Sequence, residues 1–142
     1  MRNFLRSVFY VMAAISFGAT AGFAQVVVDV KSQSWSEGRA EFDLSFSNKS
    51  EKGISGARVW VFLMSDDGKV VGNHAEWIIG GKAKKQEEDN SIAAGEEREV
   101  SFSFKNEQPF TEARVTFSRM IDSDGRVMNL RKEVQVNPIP EQ

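Results

Sequence analysis

The sequence predicts an all-β fold, a single antiparallel β-sandwich. Three observations carry that expectation. Apolar and polar residues alternate with period two through most of the chain after residue 24, turn residues separate the alternating runs, and no stretch has convincing helical spacing.

Residues 1–24 precede that pattern and read as a secretory signal peptide. Arg2 and Arg6 give a positive start, and Val8 to Phe17 is an uncharged, largely apolar run. Gly22 and Ala24 then place small residues at −3 and −1 of a cut before Gln25, the order a secretory leader needs. The competing reading is a retained anchor, because Ser7 to Ala24 is 18 residues without a charge, at the lower edge of a spanning helix. Gly18, Thr20 and Gly22 thin its hydrophobicity toward the end, which favours cleavage. The chain has no cysteine to carry a lipid. The expected location is periplasmic or secreted, with no membrane insertion after cleavage.

The first strand is expected at Gln25 to Val30, with Val26, Val28 and Val30 on one face. Ala40 to Ser47 is the cleanest case: Ala40, Phe42, Leu44 and Phe46 fall on one side, Glu41, Asp43, Ser45 and Ser47 on the other. Ala57 to Met64 is apolar on both faces from Val59 on, which predicts a central strand with Trp60 in the core. Its Val, Trp and Phe content and the Ser65-Asp66-Asp67-Gly68 stop favour strand over helix. Lys69 to Gly72 and Glu76 to Ile79 suggest one strand or two. Glu99 to Lys105 repeats the clean alternation, and Ala113 to Phe117 and Val127 to Val136 complete the set. Asp67-Gly68 and Asp124-Gly125 are hairpin signals, since both residue types tolerate positive φ.

Seven to eight such strands match an immunoglobulin-like sandwich, with a small up-and-down barrel as the alternative. Polar outer faces argue against a parallel α/β sheet. The β-sandwich domain is expected over residues 25–137, and Pro138 and Pro140 mark 138–142 as a tail because proline cannot continue a central strand. Gly80 to Asn90 is glycine-led, then basic, then acidic, and reads as a loop.

Composition narrows the chemistry. Removing the leader leaves 118 residues, enough for one domain with its own core. It also removes two arginines and no acid, so 16 basic residues face 20 acidic ones, a net charge of −4. An acidic domain has no general attraction for nucleic acid. Without cysteine there is no disulfide, thiol nucleophile, thiolate zinc site or iron–sulfur cluster.

Several segments together resemble the FxLYD-like group of small bacterial immunoglobulin-like domains. These are Phe46-Ser47-Asn48-Lys49-Ser50, Val59 to Met64, Asp66-Asp67-Gly68-Lys69-Val70, and Ile92-Ala93-Ala94-Gly95-Glu96 leading into Val100 to Phe104. The resemblance covers roughly residues 38–120. The motif that names the group has no clean counterpart; Arg114-Val115-Thr116-Phe117-Ser118 stands near its place. The resemblance implies an exported or envelope-associated module and carries over no functional residues.

The candidate chemistry is sparse. His74 is the only histidine, and Asn73 and Glu76 beside it fit no triad or dyad spacing. Asp66, Asp67, Asp122 and Asp124 invite a calcium reading, but the closing glutamate of a calcium loop is missing. In an immunoglobulin-like topology the two acidic turns also lie at opposite ends. Met64, Met120 and Met128 with one histidine do not make a copper site. Trp35 and Trp77, each in a polar setting, form a candidate ligand-binding pair for a glycan if both are exposed on one face. Lys82, Lys84 and Lys85 followed by Glu87, Glu88 and Asp89 form a candidate partner-docking loop. The expectation is therefore a non-catalytic, cofactor-free binding module that meets a protein partner through edge strands or end loops, the alternative being a carbohydrate-binding module.

Overall fold

The computed structural model describes residues 24–80 and 90–140; the predicted leader lies almost wholly outside them. The described residues form seven strands: β1 (Val26–Ser36), β2 (Arg39–Asn48), β3 (Ile54–Met64), β4 (Val70–Ile79), β5 (Glu97–Lys105), β6 (Glu112–Asp122) and β7 (Val134–Asn137). A single helical turn, α1 (Leu130–Glu133), precedes β7. Two sheets, ordered β5-β2-β1-β7 and β4-β3-β6, pack as a β-sandwich. All neighbours are antiparallel except β1 and β7, which run parallel. Among the described residues no helix is long and apolar enough to cross a membrane.

The alternating residues build the core. Phe42, Leu44 and Phe46 of β2 and Val26, Val28 and Val30 of β1 face Val59, Val61 and Leu63 of β3 and Phe117 of β6, all buried. Phe42 stacks with Phe102 and Phe104 of β5 at centroid separations of 5.3 and 6.0 Å. Phe46 meets Phe117 of the opposite sheet edge-on at 5.7 Å, at an interplanar angle of 71°, an arrangement that aromatic quadrupoles favour.

Several boundaries differ from the sequence expectation. β1 runs on to Ser36 past a bulge between Val30 and Ser32, where the buried face is no longer marked by valine. It turns into β2 at Glu37-Gly38, whose φ angles of 52° and 81° fit a two-residue hairpin turn with both residues left-handed. Residues 70–79 are one strand with register shifts against β3, not two. Val127 to Val136 is not one strand. Val127 makes an isolated bridge to Ile121, and the Asn129 side chain accepts from the Lys132 N–H and caps α1, leaving only four residues for β7. Ile139, placed in the tail, packs half-buried against the core.

Among the described residues two polar side chains are buried, Asn48 and Asp122, and both hold corners. The Asn48 amide donates to the carbonyls of Lys52 (2.9 Å) and Ala93 (3.1 Å) and accepts from the Ser50 N–H (3.1 Å) and hydroxyl (2.7 Å). It thereby ties the β2–β3 connection to the segment leading into β5. The second, Asp122, is described below. Replacing Asn48 by alanine removes four hydrogen bonds and takes the acceptor from the Ser50 N–H; it is expected to cost about 2–3 kcal/mol, read as a lower urea midpoint at unchanged slope. Parental stability in Asn48→Ala would show the corner to be dispensable.

Candidate functional site

Alternation along the strands gives the two sheets unlike outer surfaces. On the β5-β2-β1-β7 sheet, Glu41, Asp43 and Ser45 stand opposite Ser103, Ser101 and Glu99. Asp43 accepts from the hydroxyls of Ser101 (2.5 Å) and Ser32 (2.6 Å). These bonds, Ser101 first, hold its carboxyl below the usual range. This surface is a water-facing one on which Asp43 is held by two hydroxyls.

The outer surface of the β4-β3-β6 sheet is different. Arg58, Trp60, Phe62 and Met64 alternate along β3 with the buried Val59, Val61 and Leu63. Trp60 is 41% exposed. Its neighbours across the sheet are Ala75 and Thr116, small side chains that leave the indole open. The Phe62 ring lies beside it at 5.0 Å, tilted by 36°. Phe62 stands between Asn73 and Arg114, and Arg58 between Trp77 and Arg119. Arg58 donates to the Ser118 hydroxyl at 3.1 Å. Among the described residues, Arg58, Arg114 and Arg119 have no carboxylate within ion-pair distance.

This corrects the expectation that Trp60 is core. β3 is central within its sheet, but the sheet is covered on one side only, so every second residue must point outward. The apolar character of both faces came from an uncovered aromatic stripe, not from double burial. Nothing in the local pattern separates those two cases.

The other candidates fall elsewhere. Trp35 stands opposite the buried Ala40 at the rim of the inner face, half-buried, its Nε1 donating to the Asn106 carbonyl at 2.8 Å. Trp77 is half-buried on the outer face of the other sheet, close over Gly56. Gly72, which abuts Asn106, marks Trp35's end of the sandwich. Trp77 lies five residues further along β4, roughly 17 Å of strand away. The structure does not bring the two tryptophans onto one face. The docking-loop residues Lys82, Lys84, Lys85, Glu87, Glu88 and Asp89 lie outside the described residues. The base of that loop is closed by Asn90, which accepts from the Gly80 N–H (2.9 Å) and donates to the Ile78 carbonyl (3.1 Å).

His74 does structural work. Its ring stacks on Phe104 of the other sheet at 4.2 Å, 8° from parallel, and its Nε2 lies 2.7 Å from Glu76 Oε1. It closes the β4–β5 edge of the sandwich. The acidic turns sit at opposite ends of β3, Asp66 and Asp67 beyond Met64 and Asp122 beside Ile54. That is roughly 33 Å of strand. Among the described residues no group of three or more histidine, aspartate and glutamate side chains could hold a metal ion.

Asp122 organises the β6–α1 corner. Its carboxylate accepts from the N–H groups of Asp124 (2.9 Å) and Arg126 (3.0 Å) and from Arg126 Nε (3.1 Å). Arg126 also reaches Glu133 at 2.9 Å. Burial alone would raise the Asp122 pKa, but these bonds outweigh it and hold the carboxyl below its usual range. The Arg126 hydrogen bond likewise lowers Glu133, and the two acids push the guanidinium's pKa up.

No protein-family model matches the sequence, and no curated protein matches it. Two solved structures share the fold. IrmA from Escherichia coli is 8% identical, with 82% of this chain and 92% of that one aligned at a TM-score of 0.51. A structural-genomics target, SoR45, is 14% identical over 74% of this chain and 79% of its own, at 0.53. A CARDB domain from Pyrococcus furiosus, solved in complex with di-metal ions, is 17% identical over 86% and 100%, at 0.38. At such identities the likeness concerns the fold alone.

Lowered folded-state pKa values give stability that is complete above the unfolded values, about 4 for carboxyls. That stability is lost as pH falls through the folded ones. Unfolding free energy should therefore drop on acidification below about pH 4. Arg126→Met should make that decline shallower, because the guanidinium no longer favours the ionised forms of Asp122 and Glu133. An identical acid limb in parent and variant, followed by urea titration across pH, would remove Arg126 from this account.

Proposed function

We propose that the chain is an exported, non-catalytic binding module that meets an acidic patch on a protein partner through the outer face of its β4-β3-β6 sheet. The carrying observation is Trp60, open to solvent at the centre of that face, beside Phe62 and among arginines with no acidic partner among the described residues. Tryptophan and arginine are the side chains that most often dominate interface energetics, and a rimmed apolar patch on a sheet is a common interaction site. The face is basic although the mature chain is acidic overall, so it selects for a partner of opposite sign and steers its approach.

The edges of β5, β4 and β7 are less suited to this role than the sequence alone suggests. β5 ends its exposed edge in charged residues such as Glu97, Glu99 and Lys105, a device that discourages strand addition. The β4 edge is closed against β5 by His74 on Phe104 and by Gly72 against Asn106. Pro138 stops β7.

The leader supports export into a periplasm or the extracellular space, where a domain without cysteine must rest on its core. A second reading, a carbohydrate-binding module, rests on the same open indole, since aromatic faces stack on the apolar faces of sugars. It moves the site from Trp35 and Trp77 to Trp60.

Photo-crosslinking separates these outcomes. A benzophenone side chain at Asn73, on the aromatic face, is expected to capture a partner in the envelope fraction, and one at Glu41, on the other sheet, is not. Trp60→Ala and the double variant Arg58→Glu/Arg114→Glu should each abolish capture while far-UV circular dichroism and the urea midpoint stay near parental values. Equal capture from both positions, or capture indifferent to the arginines, would contradict a protein-binding aromatic face. Tryptophan quenching by a glycan that persists in the double arginine variant would favour the carbohydrate reading.

A further inference from the structure

The residue that a cut before Gln25 would leave at the terminus is a glutamine, and the fold holds it in place. The Gln25 N–H donates to the Glu133 carbonyl at 2.9 Å, and its own carbonyl accepts from the Lys49 N–H at 2.7 Å. The next residue, Val26, is fully buried and opens β1. The Gln25 side chain is exposed and borders a polar recess of about 480 Å3 shared with Lys49, Lys52, Arg126 and Met128. The backbone is therefore fixed while the side-chain amide is free to fold back over its own nitrogen.

Resting on the leader reading above, we propose that Gln25 of the exported protein is a modification site and is converted to pyroglutamate. The α-amine, as its neutral form, attacks the side-chain Cδ. A Cα-nitrogen-to-Cδ bond forms, the Cδ–Nε2 bond breaks, and the amide nitrogen leaves as ammonia with the proton the amine gives up. No oxidant, reductant or co-reactant is consumed.

Cyclisation replaces the three N–H donors of a terminal ammonium by the single N–H of a lactam. The recess that Gln25 borders carries both signs of charge, Lys49, Lys52 and Arg126 with Glu51 and Asp122. The consequence is protection of β1, which pairs with both β2 and β7. Exopeptidases that need a free α-amine cannot start on a chain that lacks one, so an exported domain without disulfides keeps its first strand intact.

The test is the mass of the protein recovered from the exported fraction of cells expressing the full chain with its own leader. The expected species begins at residue 25, weighs less than the chain 25–142 by one ammonia, and after denaturation yields an N-terminal sequence starting at Val26 only once pyroglutamyl peptidase has been applied. Tandem mass spectrometry of the first peptide should place the loss on Gln25. Gln25→Ala should be exported and folded with a free amine and no ammonia loss. A chain beginning at residue 25 with an unmodified glutamine would overturn the modification and leave the leader reading standing. A chain beginning at any other residue would overturn the leader cut, and the proposal with it.

Discussion

The dry contact between the inner faces of the two sheets is the interaction on which the rest of the molecule depends. No disulfide crosses it, so the cohesion comes from area removed from water. Phe42 and Phe46 of β2 do most to fill the space. Phe42 extends through Phe102 and Phe104 within its own sheet and reaches Phe110 of the β5–β6 connection at 5.9 Å. Phe46 crosses to Phe117. Close-packed interiors tolerate little loss of volume, which makes the corners at Asn48 and Asp122 consequential. They fix where the strands leave the core and so which residues face inward.

The same constraint creates the open aromatic face. A two-layer sandwich covers one side of each sheet and leaves the other to solvent, and the two outer sides solve that problem differently. Serine and carboxylate side chains line one, with Asp43 held by two hydroxyls. The other spends its central strand on Trp60 and Phe62 and leaves Arg58, Arg114 and Arg119 unpaired among the described residues. An exposed tryptophan at the centre of a sheet adds nothing to the inner contact, and its cross-strand neighbours Ala75 and Thr116 are too small to bury it.

Much of the fold was legible because period-two alternation is a direct image of one-sided burial. Ala40 to Ser47 appears in β2 with the inward and outward residues as read, and Glu99 to Lys105 does the same in β5. The limits were equally physical. Lys31 to Ser36 continues β1 with few apolar residues because a bulge and the sandwich rim replace valine by polar side chains and Trp35. Glu37-Gly38 escaped notice because glutamate is an uncommon residue at positive φ. Val127 to Val136 alternates like a strand, yet the Asn129 cap and the Arg126–Glu133 pair favour a helical turn in its middle. The site was the least legible part. Trp60 sits in a run of apolar neighbours that suggests core, whereas Trp35 and Trp77 sit among polar residues that suggest surface, and sequence neighbours in a strand lie on the opposite face.

The account turns on whether the Trp60 indole is free in the isolated protein and covered when the partner binds. A single-tryptophan protein, with Trp35→Phe and Trp77→Phe, makes the acrylamide quenching of its fluorescence a direct reading of that side chain. The account predicts strong quenching in the purified protein and marked protection when the envelope fraction containing the crosslinked partner is added. Weak quenching of the isolated protein, or quenching that the partner leaves unchanged, would contradict it.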